Sequence, residues 1–155
     1  MENIQEKIII VDFGSQVTKL IARRIREYNV YTEIVTLSKL NKIKNFNNIK
    51  GIIFSGGPSS VTKSSFPNIP LSILNKRIPI LGICYGLQLI AKNMNGLVKS
   101  GKKKREFGRV EIKKVKNSLL TKNFYKNKNY VWMSHQDIVF KLPKDFLKIA
   151  STHDS

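Results

Sequence analysis

The chain has one cysteine, Cys84, in 155 residues, and no long apolar run. A single thiol excludes an internal disulfide and a cysteine-rich zinc site, so stability must come from the core. The longest apolar runs, such as Ile8-Ile9-Ile10-Val11, fall far short of the ~18 residues that a membrane-spanning helix needs. The N-terminus has no cationic stretch leading into an apolar one. Neither a membrane nor a secreted location is expected; a cytoplasmic one is. Acidic residues are scarce, 10 against 28 Lys+Arg, which leaves a net charge of +18. Such a balance is common in nucleic-acid-binding domains. Here, however, lysine supplies 22 of the 28 cations, isoleucine occurs 20 times and asparagine 14, and these residues share adenine-rich or thymine-rich codons. Coding bias suffices for the excess. The lysines are scattered, none of their tracts is interleaved with aromatics, and only Lys102-Lys103-Lys104-Arg105 is dense, so nucleic acid is not an expected partner.

What is present suits one ordinary domain spanning residues 1–155: 17.7 kDa and 41% hydrophobic, a size that buries roughly 68–70% of its unfolded surface. Residues 7–12 (KIIIVD) form a short continuous apolar run of the kind buried on both faces of a sheet. A helix is predicted from Ser15, its N-cap, with Val17, Leu20, Ile21, Ile25 and Tyr28 on one face. Residues 30–35 read as a second strand, followed by a polar Lys/Asn connection, and residues 51–55 as a third strand ending in Gly56-Gly57-Pro58. A weak helical stretch at 70–76 leads to a strand at 78–83. A helix follows with Leu87, Ile90, Ala91 and Met94 on its apolar face and Gly96 as its stop. This alternation predicts an α/β fold, a doubly wound, mostly parallel sheet with helices on both faces and ligands beyond the carboxyl ends of the strands. Shorter runs at 109–115, 130–134, 138–142 and 146–151 predict an antiparallel or mixed C-terminal extension.

The sharpest chemical feature is Gly82-Ile83-Cys84-Tyr85-Gly86, a G-x-C-x-G where a buried strand turns into a helix. It is the cysteine counterpart of the G-x-S-x-G nucleophile elbow. A turn this tight crowds the backbone two residues before and after the nucleophile, which favours residues without a β-carbon. A thiol of ordinary pKa ~8.5 is only about 3% ionised at pH 7, and a helix N-terminus supplies at most ~2 kcal/mol, so a basic partner is needed as well. The N–H of Tyr85 lies where an elbow places one oxyanion donor, and Ser55-Gly56-Gly57-Pro58 is suited to provide the second. Gln88, one helical turn past Cys84, either reaches a bound substrate or faces solvent.

These segments resemble a known family. Asp12-Phe13-Gly14-Ser15-Gln16, Ser55-Gly56-Gly57-Pro58, Gly82-Ile83-Cys84-Tyr85-Gly86-Leu87-Gln88, Arg105-Glu106-Phe107-Gly108 and Val131-Trp132-Met133-Ser134-His135-Gln136-Asp137 occur in that order. Together they resemble the class I glutamine amidotransferase domain of the glutamine-hydrolysing GMP synthase family, over nearly the whole chain. The resemblance implies a flavodoxin-like fold in which Cys84 attacks the glutamine side-chain amide, with Gly57 and Tyr85 as the oxyanion hole. It also implies that Gln88, Ser134, Gln136 and Asp137 bind substrate, and that His135 orders the loop instead of serving as the base. The family completes its triad with a His-Pro-Glu motif that does not occur here, and neither His135 nor His153 (followed by Asp154) fits it. The expectation is therefore a domain truncated before that motif and lacking turnover on its own. In the family, ammonia passes to an ATP-pyrophosphatase domain that aminates XMP. ATP and Mg2+ belong to that domain, so no cofactor and no metal are expected on these residues, and the full-length protein is expected to be a homodimer. Two rivals remain: the same domain from an enzyme of carbamoyl-phosphate or CTP synthesis, and a flavodoxin-like module whose loops at Gly14 and Gly56-Gly57 hold a phosphate beside an inert thiol.

Overall fold

The computed structural model describes residues 5–63, 65–101, 106–122, 124 and 129–153; the basic cluster at 102–105 and Asp154 lie outside them. Strand β1 (Lys7–Val11) holds Ile9, Ile10 and Val11 at zero exposure. Residues pointing to both faces of one strand are thus covered, as its unbroken apolar run predicts. β1 runs parallel to β2 (Thr32–Val35) and β3 (Ile49–Phe54), and β3 parallel to β4 (Ile80–Gly82), in the order β2-β1-β3-β4. On one face, Ile10 and Ile53 pack with Ala22, Ile21 and Ile25 of α1 (Thr18–Arg26). On the other, Ile9, Val11, Ile52 and Phe54 pack with residues of α2 (Leu37–Asn41), α3 (Leu71–Leu74) and α4 (Tyr85–Asn93), among them Leu40, Ile73 and Leu89. The sheet is doubly wound, as expected.

Several local expectations are corrected. Ser15 does not cap α1, which starts at Thr18; the Ser15 hydroxyl instead accepts the Val17 N–H at 3.2 Å within the preceding turn. The buried stripe of α1 accordingly shifts to Thr18, Ile21, Ala22 and Ile25, leaving Val17 and Leu20 about half exposed and Tyr28 beyond the helix in solvent. On α4, Leu87 is likewise turned outward, while Gly86 and Gln88 face in. The polar connection after β2 contains α2, capped by the Thr36 hydroxyl accepting the Lys39 N–H at 3.2 Å. Five residues give barely more than one helical turn, too little for periodicity to register.

The extension is antiparallel. β5 (Leu97–Ser100), which the apolar pattern does not reveal, pairs with β8 (Asp137–Lys141). β6 (Glu106–Lys114) pairs with β7 (Asn129–His135) and, at its far end, with β9 (Ala150–Ser151). β6 therefore begins before residue 109, and its register with β7 runs unbroken through Gly108, which has a φ of +97°. The strand expected at 146–151 is reduced to its last two residues. The β5–β8 pairing sets the β7–β8 turn beside the carboxyl end of the parallel sheet, where α4 begins.

Candidate active site

Between the end of β4 at Gly82 and the start of α4 at Tyr85 the chain turns within two residues. The corner is pinned by the Ile83 N–H donating to Phe54 O (3.0 Å), the Gly86 N–H to Ile83 O (2.9 Å) and the Gln88 N–H to Cys84 O (3.1 Å). Cys84 itself sits at φ 48°, ψ −111°, outside the wells open to an ordinary side chain. A β-carbon on Gly82 would lie 2.6 Å from Leu87 Cα and N, and one on Gly86 only 2.2 Å from Phe54 O. Gly82 thus answers crowding within the turn, as inferred, whereas Gly86 answers the close approach of β3 at Phe54. The corner leaves Cys84 exposed, not sealed in the core.

The glycine loop after β3 is held against this corner. The buried Ser55 hydroxyl accepts the Phe13 N–H (3.2 Å) and donates to Gly56 O (3.0 Å). Gly57 packs so tightly on Phe13 that a β-carbon there would be 2.6 Å from Phe13 O, and one on Gly56 would meet Cys84 Cβ at 3.8 Å. The Asp12-Phe13-Gly14-Ser15 segment is therefore a prop under the glycine loop. Its Gly14 N–H is given to Asp12 Oδ1 (3.0 Å), which also accepts from Thr18 Oγ1 (2.8 Å). An amide already held by a carboxylate is a poor phosphate donor, which counts against the phosphate-binding rival. The Tyr85 N–H, first in α4, has no intrahelical acceptor. Among the described residues, neither it nor the Gly57 N–H is given to another backbone acceptor.

All eight candidate residues line one pocket of about 190 Å³: Gly57, Cys84, Tyr85, Gln88, Ser134, His135, Gln136 and Asp137. Gln88 does not face solvent. It is buried, and its Nε2 donates to the Asp137 carbonyl at 2.8 Å, joining α4 to the start of β8. Tyr85 is buried edge-on against Phe13, at 5.4 Å between ring centres. His135 faces its cross-strand partner Glu106, Nε2 to Oε2 at 3.1 Å, with both side chains largely buried. His153 is not part of the pocket lining. The structure adds Pro58, Ser59, Ser60 and Phe107 to the walls. Ser60 donates its hydroxyl to Asp137 Oδ2, 77 positions away; no local signal in the sequence could have found that pairing.

Electrostatics are unhelpful to the thiol. Cys84 opens onto the pocket, but partial desolvation by the surrounding protein pushes its thiol above the ordinary cysteine range, and no charged neighbour among the described residues offsets it. The expected lowering is not realised by the residues described; the α4 N-terminus pulls the right way but supplies too little. Burial likewise raises Tyr85. Among the described residues, no group of three or more His, Cys, Asp or Glu could hold a metal, and no helix is long and apolar enough to cross a membrane.

Residues 9–155 match the family described as glutamine amidotransferase class-I. Relatives named GMP synthase [glutamine-hydrolyzing] include that of Rhodopseudomonas palustris, 47% identical over 154 residues (98% of this chain, 28% of that one). The Treponema denticola protein of the same name is 49% identical over 149 residues (96% and 28%). The chain thus spans a little over a quarter of the length of these relatives. Among solved structures, a Thermoplasma acidophilum protein described as a putative GMP synthase component superposes with a TM-score of 0.72 at 31% identity, covering 97% of this chain and 74% of that one. A glutamine amidotransferase from Thermotoga maritima gives 0.72 at 20% identity, covering 97% and 68%, a likeness of fold alone.

Proposed function

The chain belongs to the class I glutamine amidotransferase family, and from that premise we propose that it is the glutamine-hydrolysing part of a GMP synthase, with Cys84 as nucleophile. The observation that carries the proposal is the meeting, in one small pocket, of a strained, exposed cysteine and a glycine loop with an uncommitted amide. In the proposed reaction the Cys84 thiolate attacks the side-chain carboxamide carbon of glutamine. The Gly57 and Tyr85 N–H groups receive the oxyanion, ammonia leaves with a proton from a general acid, and water cleaves the resulting thioester to glutamate. Ser134, Gln136 and Asp137 hold the amino-acid end together with Gln88, whose Nε2 is already committed to the Asp137 carbonyl. His135, gripped by Glu106, orders this wall instead of acting as base.

Turnover then requires a histidine acid/base beyond the residues assigned here. The ammonia serves an ATP-pyrophosphatase region that binds ATP, Mg2+ and XMP, in a cytoplasmic homodimeric enzyme of purine synthesis. An electrophilic glutamine analogue tests the core of the proposal. It is expected to alkylate Cys84 stoichiometrically, with glutamine protecting and glutamate or asparagine protecting less. Alkylation spread over lysines, or unaffected by glutamine, would reinstate the inert-thiol reading.

A further inference from the structure

We infer that Ser60, which no motif assigns, is a positioning residue: its hydroxyl latches the glycine loop to the wall formed by residues 134–137, so that both sides of the pocket hold one geometry. A directed chain of hydrogen bonds carries this inference. Asp137 is buried at the start of β8, and its Oδ2 accepts the single hydroxyl proton of Ser60. The Thr62 hydroxyl, 2.7 Å from Ser60 Oγ, must then be the donor in that contact, and the Thr62 N–H donates to the same oxygen at 3.1 Å. Ser60 Oγ thus gives one hydrogen bond and takes two, leaving it no freedom to turn elsewhere. Asp137 is held from a second direction, since its carbonyl accepts from Gln88 Nε2 at 2.8 Å. The neighbouring Gln136 carbonyl accepts the Gly101 N–H at 2.7 Å, and His135 is held by Glu106.

The wall is therefore anchored to α4, to the end of β5 and to β6. Among the described residues, Ser60 to Asp137 is the one hydrogen bond joining it to the loop that carries Gly57. Opening that bond would let the oxyanion donor and the substrate wall move independently of each other. The effect on glutamine rests on the function proposed above; the latch itself does not.

The test uses the full chain with Ser60→Ala, Ser60→Thr and Asp137→Ala, followed by amide hydrogen exchange over residues 57–62 and 134–137. Ser60→Ala is expected to speed exchange about tenfold in both segments, because a buried carboxyl group loses its hydrogen-bond partner. Ser60→Thr, which keeps the hydroxyl, stays within about twofold of wild type. Asp137→Ala, which removes the acceptor, supplies the same reading should Ser60→Ala fold poorly, and the double variant is expected to add nothing. Exchange that rises only in residues 57–62, or additive single effects, would overturn the latch. In parallel, Ser60→Ala should raise the glutamine concentration needed to protect Cys84 about tenfold, while iodoacetamide labelling of the bare thiol stays within about twofold. A matching tenfold change in iodoacetamide labelling would mean the residue merely supports the elbow, and would also overturn it. Failure of glutamine to protect the wild-type thiol sinks the proposed substrate, and the exchange result still decides the latch.

Discussion

Replacing Gly86 by alanine puts the elbow's steric logic to a direct measurement. The added β-carbon would stand 2.2 Å from Phe54 O, 2.6 Å from Phe54 C and 2.8 Å from Phe54 Cβ. Reaching even 3.0 Å requires α4 and β3 to part by about 0.8 Å. Neither can retreat cheaply: β3 is an interior strand paired to β1 and β4, and Phe54 is fully buried. Overpacking a close-packed core costs typically ~1–3 kcal/mol, and contact with backbone instead of a side-chain tip places Gly86→Ala at the upper end, about 3 kcal/mol. Gly51→Ala is the control. Its β-carbon would meet Ile8 Cγ1 at 3.7 Å and Pro79 O at 3.8 Å, ordinary contacts, so reduced freedom of the unfolded chain should stabilise by about 0.4–1 kcal/mol. Urea unfolding followed by circular dichroism reads both; with slopes of ~1–3 kcal/mol/M, Gly86→Ala should shift the midpoint down by about 1–3 M. A Gly86→Ala midpoint matching wild type, or a Gly51→Ala loss as large as that of Gly86→Ala, would show that the corner is not built as described.

Cys84→Gly should stabilise by about 1 kcal/mol, because relief of the disfavoured backbone outweighs the entropy cost of glycine, whereas Cys84→Ala keeps the strain; unfolding midpoints compare them. Iodoacetamide labelling of Cys84 should rise with pH to a midpoint above that of free cysteine, since burial raises its pKa, and a midpoint below free cysteine would expose a missing cation. The same shift has a stability sign: the contribution is present below the unfolded thiol pKa and is lost as pH rises through the folded one. Glu33 has the opposite sign, its carboxyl held below the usual range by hydrogen bonds from Lys39 (2.7 Å) and Lys7 (2.8 Å). Glu33→Gln should cost about 1 kcal/mol at neutral pH, a difference that vanishes as pH falls through the lowered folded value; a difference constant from neutral to strongly acid pH would contradict the pairing.

The parallel sheet was readable because its strands are buried on both faces, and unbroken runs such as Ile8-Ile9-Ile10-Val11 have few other uses in a chain this short. The elbow was readable for a different reason: its motif is contiguous in sequence, with Gly82 answering the approach of Leu87 five residues on, although the approach that Gly86 answers comes from Phe54 on the neighbouring strand. Residues 134–137 entered through resemblance, since nothing in their spacing says that β8 pairs with β5 and so brings them to α4. Ser60 stayed hidden because its partner lies 77 positions away and serine is unremarked in any loop. The errors on α1 and α4 share one cause. Apolar periodicity locates a face to within about a quarter turn, and the final rotation was set by polar and backbone contacts, Thr18 to Asp12 on one helix and Gln88 to Asp137 on the other.

Those same contacts bear on why the thiol is exposed at all. A cysteine kept for packing would relax into an ordinary backbone well and bury its sulfur among apolar atoms. Cys84 does neither: it holds a positive φ, opens onto a pocket, and has a thiol that the protein around it still desolvates in part, which makes it harder to ionise. Each of these features opposes stability or reactivity taken singly. They become intelligible together if the corner's task is to aim the sulfur at a bound carboxamide while the unused amide beside it waits for charge that develops only during attack. On that account ionisation is supplied by a basic partner at the moment of reaction, and the elbow contributes aim. Its contribution should therefore survive in the spacing between sulfur and oxyanion donors, which the Ser60 to Asp137 tie maintains, more than in any resting thiolate population.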